Sequence, residues 1–167
     1  KVNPPLRTKE DIEALWEGIK NGTVDTVGSD HNSRKRDKKT GSIWKSAAGF
    51  PGTATILPIL LSEGVHRRGV SLTKVAEITA MNPARIFGVF PQKGTIAVGS
   101  DADLTIVDLS KEQSVTAQML QGNSDYSLYE GWTLKGWPIG TVIRGQQMMR
   151  DGQVIGPPVG QEISRGQ

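Results

Sequence analysis

The apolar pattern of this chain changes period once, near residue 92, and that change restricts what it can fold into. Before it, apolar residues recur three and four apart, as on the face of a helix; after it, they alternate, as on a strand. In "TKEDIEALWEGIKNG", Thr8 stands at a cap and Asp11 at the capping-box position, with Ile12, Leu15, Trp16 and Ile19 on one face and Asn21-Gly22 as the stop. "TVDTVG" predicts a short strand delivering Asp30 to its C-terminal end. "GFPG" is a turn signal, and "TATILPILLSEGVHRR" predicts a helix in spite of Pro58. Ser71 caps "SLTKVAEITA", in which Leu72, Val75 and Ile78 share a face, and "NPARIFG" is a last short helix closed by Gly88. From Gly94 on, "TIAV" and "DLTIVDL" alternate as strands, and "TVIRGQQMMRDGQVIG" reads as a hairpin around Asp151-Gly152. The fold class is therefore α/β, divided into residues 1–91, a strand-rich region 92–156 and a tail 157–167 with little to pack. In such folds chemistry gathers at the carboxyl ends of strands.

Composition narrows the function classes. The 167 residues suffice for one ordinary domain with a core, and 36% apolar with 22% charged residues suits a loop-rich globular protein. A net charge of +3, much of it in the run Arg34–Lys39, is weak support for a nucleic-acid partner, and none is expected. There is no cysteine, hence neither disulfides nor thiolate metal ligands, which fits a reducing, cytoplasmic setting. The longest apolar run, Thr55 to Leu61, is too short to span a bilayer, so no membrane partner is expected. The chain starts at Lys1 and goes straight into "VNPPLR", which reads like the middle of a fold and suggests a fragment.

The candidate chemistry is concentrated in "VGSDHNSRKRDKKTG". A carboxylate at a strand end can ligate a metal or act as a general base, which singles out Asp30 beside His31. The plain alternative is that Asp30 caps a loop and His31 packs beside it, and the pair alone does not decide. His66, in "GVHRRG" at a helix end, is expected to face solvent. With no H-x-H, no H-E-x-x-H and no cysteine, the chain cannot assemble a catalytic zinc centre by itself. "RKRDKK" carries no interleaved aromatic side chains for base stacking and reads as a solvated loop. Tyr126, Tyr129, Trp132 and Trp137 read as core and interface packing rather than a sugar platform.

Three stretches together resemble one family. "KVNPPLRTKEDIEALWEGIKNGTVDTVGSDH", "NPARIFGVFPQKGTIAVGSDADLTIVDL" and "SDYSLYEGWTLKGWP…TVIRGQQMMRDG" are similar, in this order, to the cyclic amidohydrolases: dihydroorotases, hydantoinases (dihydropyrimidinases) and allantoinases. The resemblance implies the C-terminal part of a TIM-type (β/α)8 barrel, followed by strands of a small β-sandwich. It implies a divalent metal cofactor, a binuclear zinc pair, most of whose ligands lie upstream of this chain. Asp30 matches the family's aspartate at the end of the eighth strand; by that likeness it ligates one metal and carries a proton from the attacking metal-bridging hydroxide to the leaving ring nitrogen. Asn3 matches a substrate-contacting position, and "SAAGFPG" matches a loop whose backbone near Ala48 and Gly49 touches the substrate ring.

The substrate implied is a small cyclic amide, a hydantoin, dihydropyrimidine or dihydroorotate. The fragment would be inactive alone, its partners the missing N-terminal part of the same protein and further copies in a homo-oligomer. Where dihydroorotases of this kind read Thr-Asp-His-Ala-Pro-His, this chain reads "SDHNSR", with Arg34 in place of the second histidine, while "SDYSLYEGW" leans toward hydantoinases. Two other readings stand beside this one. A dihydroorotase-like scaffold or regulatory subunit without catalysis would lack the upstream ligands. A stand-alone binding domain would leave apolar faces uncovered.

Overall fold

The computed structural model describes residues 1–164. Helix α1 spans Lys9–Asn21 and begins with a reciprocal cap: the Thr8 hydroxyl accepts from the Asp11 N–H, and the Asp11 carboxylate accepts from the Thr8 N–H. Gly22, at φ 84°, ends it. A single 3-10 turn, Thr53–Thr55, leads into α2 (Ile56–Ile59), which continues as a π-helical stretch over Leu60–His66. Pro58 is accommodated because it lies in the first turn, where its missing N–H has no intrahelical acceptor to lose. Helix α3 (Leu72–Ala76) is capped by the Ser71 hydroxyl and runs through a π turn, Glu77–Met81, into α4 (Asn82–Ile86).

Four antiparallel strands follow in the order β1 (Leu104–Ser114), β2 (Thr133–Ile143), β3 (Gln146–Arg150) and β4 (Gln153–Val154). Two-residue turns at Arg144-Gly145 and Asp151-Gly152, all four residues at positive φ, match the twist of the strands they join. The register of β1 on β2 shifts between Asp108 and Glu112. There the Asp108 carboxylate accepts from the Ser110 N–H, the Ser110 hydroxyl and the Lys111 N–H, closing a bulge that lets the strand resume.

One core gathers Ile19, Leu60, Val70, Val75 and Ile78 beneath Trp16; a second gathers Val115, Leu134 and Trp137 against Ile59. The sheet meets the helices where Gly136 crosses the π stretch. A Cβ on Gly136 would lie 2.7 Å from the Leu61 Cβ, and the neighbouring Lys135 N–H donates to the Ser62 hydroxyl at 3.2 Å. Trp137 and Tyr129 pack in this second core, as expected for the aromatic group, although Trp132 is half exposed.

Several expected elements differ. "TVDTVG" forms no ladder: among the described residues the nearest pairing is one parallel bridge beyond it, His31 to Phe50, and a strand exists only where a neighbour pairs with it. "TIAV" is turn rather than strand, with Ile96 and Val98 fully exposed. It is bracketed by Gly94 and Gly99 and closed by Lys93, whose ammonium pairs with Asp101 at 2.7 Å and with Asp103. Of the expected apolar face of α1, Trp16 and Ile19 turn inward, while Ile12 and Leu15 are 47% and 62% exposed. Leu72 is likewise outside the core that holds Val75 and Ile78. Of the tail expected over 157–167, residues 157–164 are exposed except near Val159, whose carbonyl accepts from Arg144; the rest lies outside the described residues.

Candidate active site

Asp30 follows the irregular 24–29 segment, its side chain exposed and its backbone left-handed at φ 45°. Asp tolerates that conformation better than most residues, but it still costs about 1 kcal/mol. The local frame holds it there. Ser29 accepts from the His31 N–H at 3.2 Å, and the Asn32 N–H donates to the Phe50 carbonyl at 2.9 Å. The His31 ring is held by backbone. Its Nδ1 accepts from the Gly52 and Thr53 N–H groups at 3.1 and 3.3 Å, which places the ring proton on Nε2 and caps the start of the helical run. His66, exposed as expected, has its Nε2 3.0 Å from the Leu109 carbonyl.

The loop Asn32–Phe50 is ordered by specific contacts. The Arg34 N–H donates to the Ser124 hydroxyl at 3.2 Å, the Arg36 N–H to the Asp125 carboxylate at 2.7 Å, and the Arg36 guanidinium lies over the Tyr126 ring. The reading of "RKRDKK" as a solvated loop fits Lys35, Arg36, Asp37 and Lys38, whose side chains are exposed, and fails for Lys39. The Lys39 ammonium is half-buried, 4.7 Å from the centre of the Phe50 ring, and donates to the carbonyls of Lys1 (3.0 Å), Ala47 (2.8 Å) and Gly49 (2.8 Å). Those acceptors lie at the far end of the loop and at the chain's first residue, so nothing in the local run announced them.

Lys39 draws together the elements that carry the other candidate residues. Gly49 also donates its N–H to the Lys1 carbonyl at 3.1 Å; at φ 95° it packs so closely that a Cβ would fall 2.5 Å from the Asn32 Cβ. Asn3 is exposed and lines a cleft of about 560 Å³ with Leu6, Ile43, Trp44 and Phe50. The structure thus ties the backbone of Ala48 and Gly49 to the start of the chain through Lys1, two residues before Asn3. Asp30 lies two residues from Asn32, which abuts Gly49.

These residues do not by themselves make a metal centre. Among the described residues no three His, Asp or Glu side chains converge, and both histidines are engaged with backbone. One exposed carboxylate on a strained backbone suits one ligand of a centre completed by other residues, and nothing more. Among the described residues, too, no helix is long and apolar enough to cross a membrane.

Residues 3–148 match the amidohydrolase family. The chain is 40% identical over 158 residues to an L-hydantoinase of Paenarthrobacter aurescens, covering 93% of this chain and 34% of that protein. It is 38% identical over 159 residues to a D-hydantoinase of Rhizobium radiobacter, covering 93% of this chain and 35% of that protein. A solved D-hydantoinase superposes with a TM-score of 0.93 at 38% identity, covering 99% of this chain and 37% of the other. The chain thus spans about a third of the length of the relatives it matches. Their metal-dependent family is built on the TIM-type barrel, and helices followed by an antiparallel sheet are what its C-terminal part with strands of a β domain provides. The chain belongs to the amidohydrolase family, and corresponds to the C-terminal portion of its cyclic amidohydrolases.

Proposed function

We propose that this chain forms the proton-transfer and ring-contacting part of an enzyme that hydrolyses the C–N bond of a cyclic amide, a hydantoin or a dihydropyrimidine. The observation that carries the reading is Asp30: an exposed carboxylate without an ion-pair partner among the described residues, held in a left-handed backbone, in a chain 38–40% identical to hydantoinases. Its carboxylate takes the proton of the attacking hydroxide and passes it to the ring nitrogen as the C–N bond breaks, leaving a carboxylate and one new N–H. Asn3 and the backbone of Ala48 and Gly49 hold the ring beside it. A divalent metal pair, zinc in this reading, would have Asp30 as one ligand and supply Lewis-acid polarisation when bound; its other ligands come from outside these residues. The domain division at residue 92 belongs to the same reading, as does a tail after Gly156 that reaches a second copy of the enzyme.

Hydantoins are favoured over dihydroorotate because Arg34, which replaces the histidine expected of dihydroorotases, is anchored through its backbone on Ser124. The test is a ring-opening assay of the whole metal-loaded polypeptide on hydantoin, dihydrouracil and dihydroorotate. Opening of either of the first two, with dihydroorotate turned over far more slowly, is the expected outcome. Preference for dihydroorotate overturns the substrate assignment, and no turnover of any ring points to a non-catalytic relative.

A further inference from the structure

We infer that Lys39 is a positioning residue for the substrate ring, acting through the peptide groups of Ala48; this rests on the ring-hydrolase reading above. An ammonium has three N–H donors, and each of those of Lys39 goes to a backbone carbonyl: Lys1, Ala47 and Gly49. Ala47 and Gly49 flank Ala48, so one cation pins the carbonyl on either side of it. Ala48 itself has neither its N–H nor its C=O engaged in any hydrogen bond among the described residues, and its side chain is half-buried. A cyclic amide presents one N–H and one C=O side by side, and a residue whose own N–H and C=O, in its two flanking peptide groups, are both free offers one donor and one acceptor to it.

The clamp has few ways to slip. Gly49 is fixed on its other side by its N–H to Lys1 and by contact with Asn32, while the Ala47 N–H donates to the Lys38 carbonyl at 2.9 Å. The Phe50 ring covers the ammonium, and charge-assisted bonds of this kind strengthen where water is restricted. Lys39 touches no substrate in this account; it sets where the Ala48 peptide stands. Arginine cannot replace it, because a planar fork does not fit three carbonyls converging on one point.

The experiment compares wild type, K39M, K39R and K39A in the whole metal-loaded enzyme. It reads kcat and KM for ring opening, together with hydrogen exchange over residues 46–50. The expected result is a KM raised roughly 10- to 100-fold in K39M and K39R, with kcat within about 3-fold of wild type, as for lost binding common to ground and transition states. Faster exchange at 46–50 should accompany it, and propylammonium, which replaces the missing side chain of K39A, should bring KM back toward wild type. Faster exchange with an unchanged KM makes Lys39 purely structural and overturns the proposal. So does a fall in kcat at constant KM. If K39A does not fold, K39M and K39R carry the same comparison. Failure of the underlying function is separately visible, as absence of turnover in the wild type, and removes this proposal with it.

Discussion

Adding one methyl group at Gly49 should cost far more than adding it at Gly41, eight residues earlier in the same loop. Both glycines are left-handed, Gly41 at φ 86° and Gly49 at φ 95°, so an alanine at either incurs the same backbone penalty, about 1–2 kcal/mol. Gly41 has nothing within 4 Å of the new Cβ, whereas at Gly49 the Cβ would meet the Asn32 Cβ at 2.5 Å. Carbon atoms in contact rest at about 3.5–4.0 Å, and a Cβ cannot swing aside without moving its backbone. Overpacking of this kind adds about 1–3 kcal/mol. G41A should therefore lose about 1–2 kcal/mol and G49A about 2–5 kcal/mol, measured by urea unfolding with an unchanged m-value. The extra loss belongs to one pair of atoms, so Asn32→Gly should recover it in a double-mutant cycle with a coupling of about 1–3 kcal/mol. Equal losses for G41A and G49A, or no coupling to Asn32, would refute the close packing on which the placement of Ala48 and Gly49 depends.

Other expectations follow from the same contacts. The Lys93 ammonium holds the Asp101 carboxyl below its usual range; at Asp103 burial works the other way but is outweighed by Lys93 and the Arg144 N–H. Depressed carboxyls stabilise the fold above their unfolded pKa, near 4, and that stability is lost as pH falls through the lower folded values. Acid titration of stability should show this slope, and Lys93→Met should flatten it. His31→Ala leaves the Gly52 and Thr53 N–H groups without their acceptor and should cost about 1 kcal/mol in urea unfolding, with His31→Asn recovering part of it. Arg68 pairs with Glu13 at 2.6 Å and Glu63 at 3.0 Å above the Trp16 ring; Arg68→Met should lose about 1 kcal/mol, less at high salt.

What could be read from the residues was local. The Thr8–Asp11 cap, the Ser71 cap, the stop at Gly22 and the Asp151-Gly152 turn depend on neighbours within a few positions, and each stands where the pattern places it. No strand forms at 23–28 or 95–98, because an apolar pattern describes a face, whereas a strand needs a partner that the pattern cannot supply. Ile12 and Leu15 show the same limit: a face can be apolar and still find nothing among these residues to cover it. Asp30 was legible as a residue at the end of an apolar run, but its left-handed backbone was not. Lys39 was hidden inside a run of charge, since its three carbonyl partners are main-chain atoms up to 38 residues away. The one signal that the basic loop was docked is the acidic and aromatic pair Asp125-Tyr126, which receives Arg36.

The most direct test of the account is the turnover of Asp30→Asn in the whole metal-loaded enzyme, with hydantoin as substrate. Asn keeps the size and the tolerance of a left-handed backbone, so the fold should be retained and circular dichroism unchanged. Loss of the proton-carrying carboxylate should lower kcat by roughly 10²- to 10⁴-fold. Turnover by the folded variant within about 3-fold of wild type contradicts the role assigned to Asp30 and, with it, the central claim.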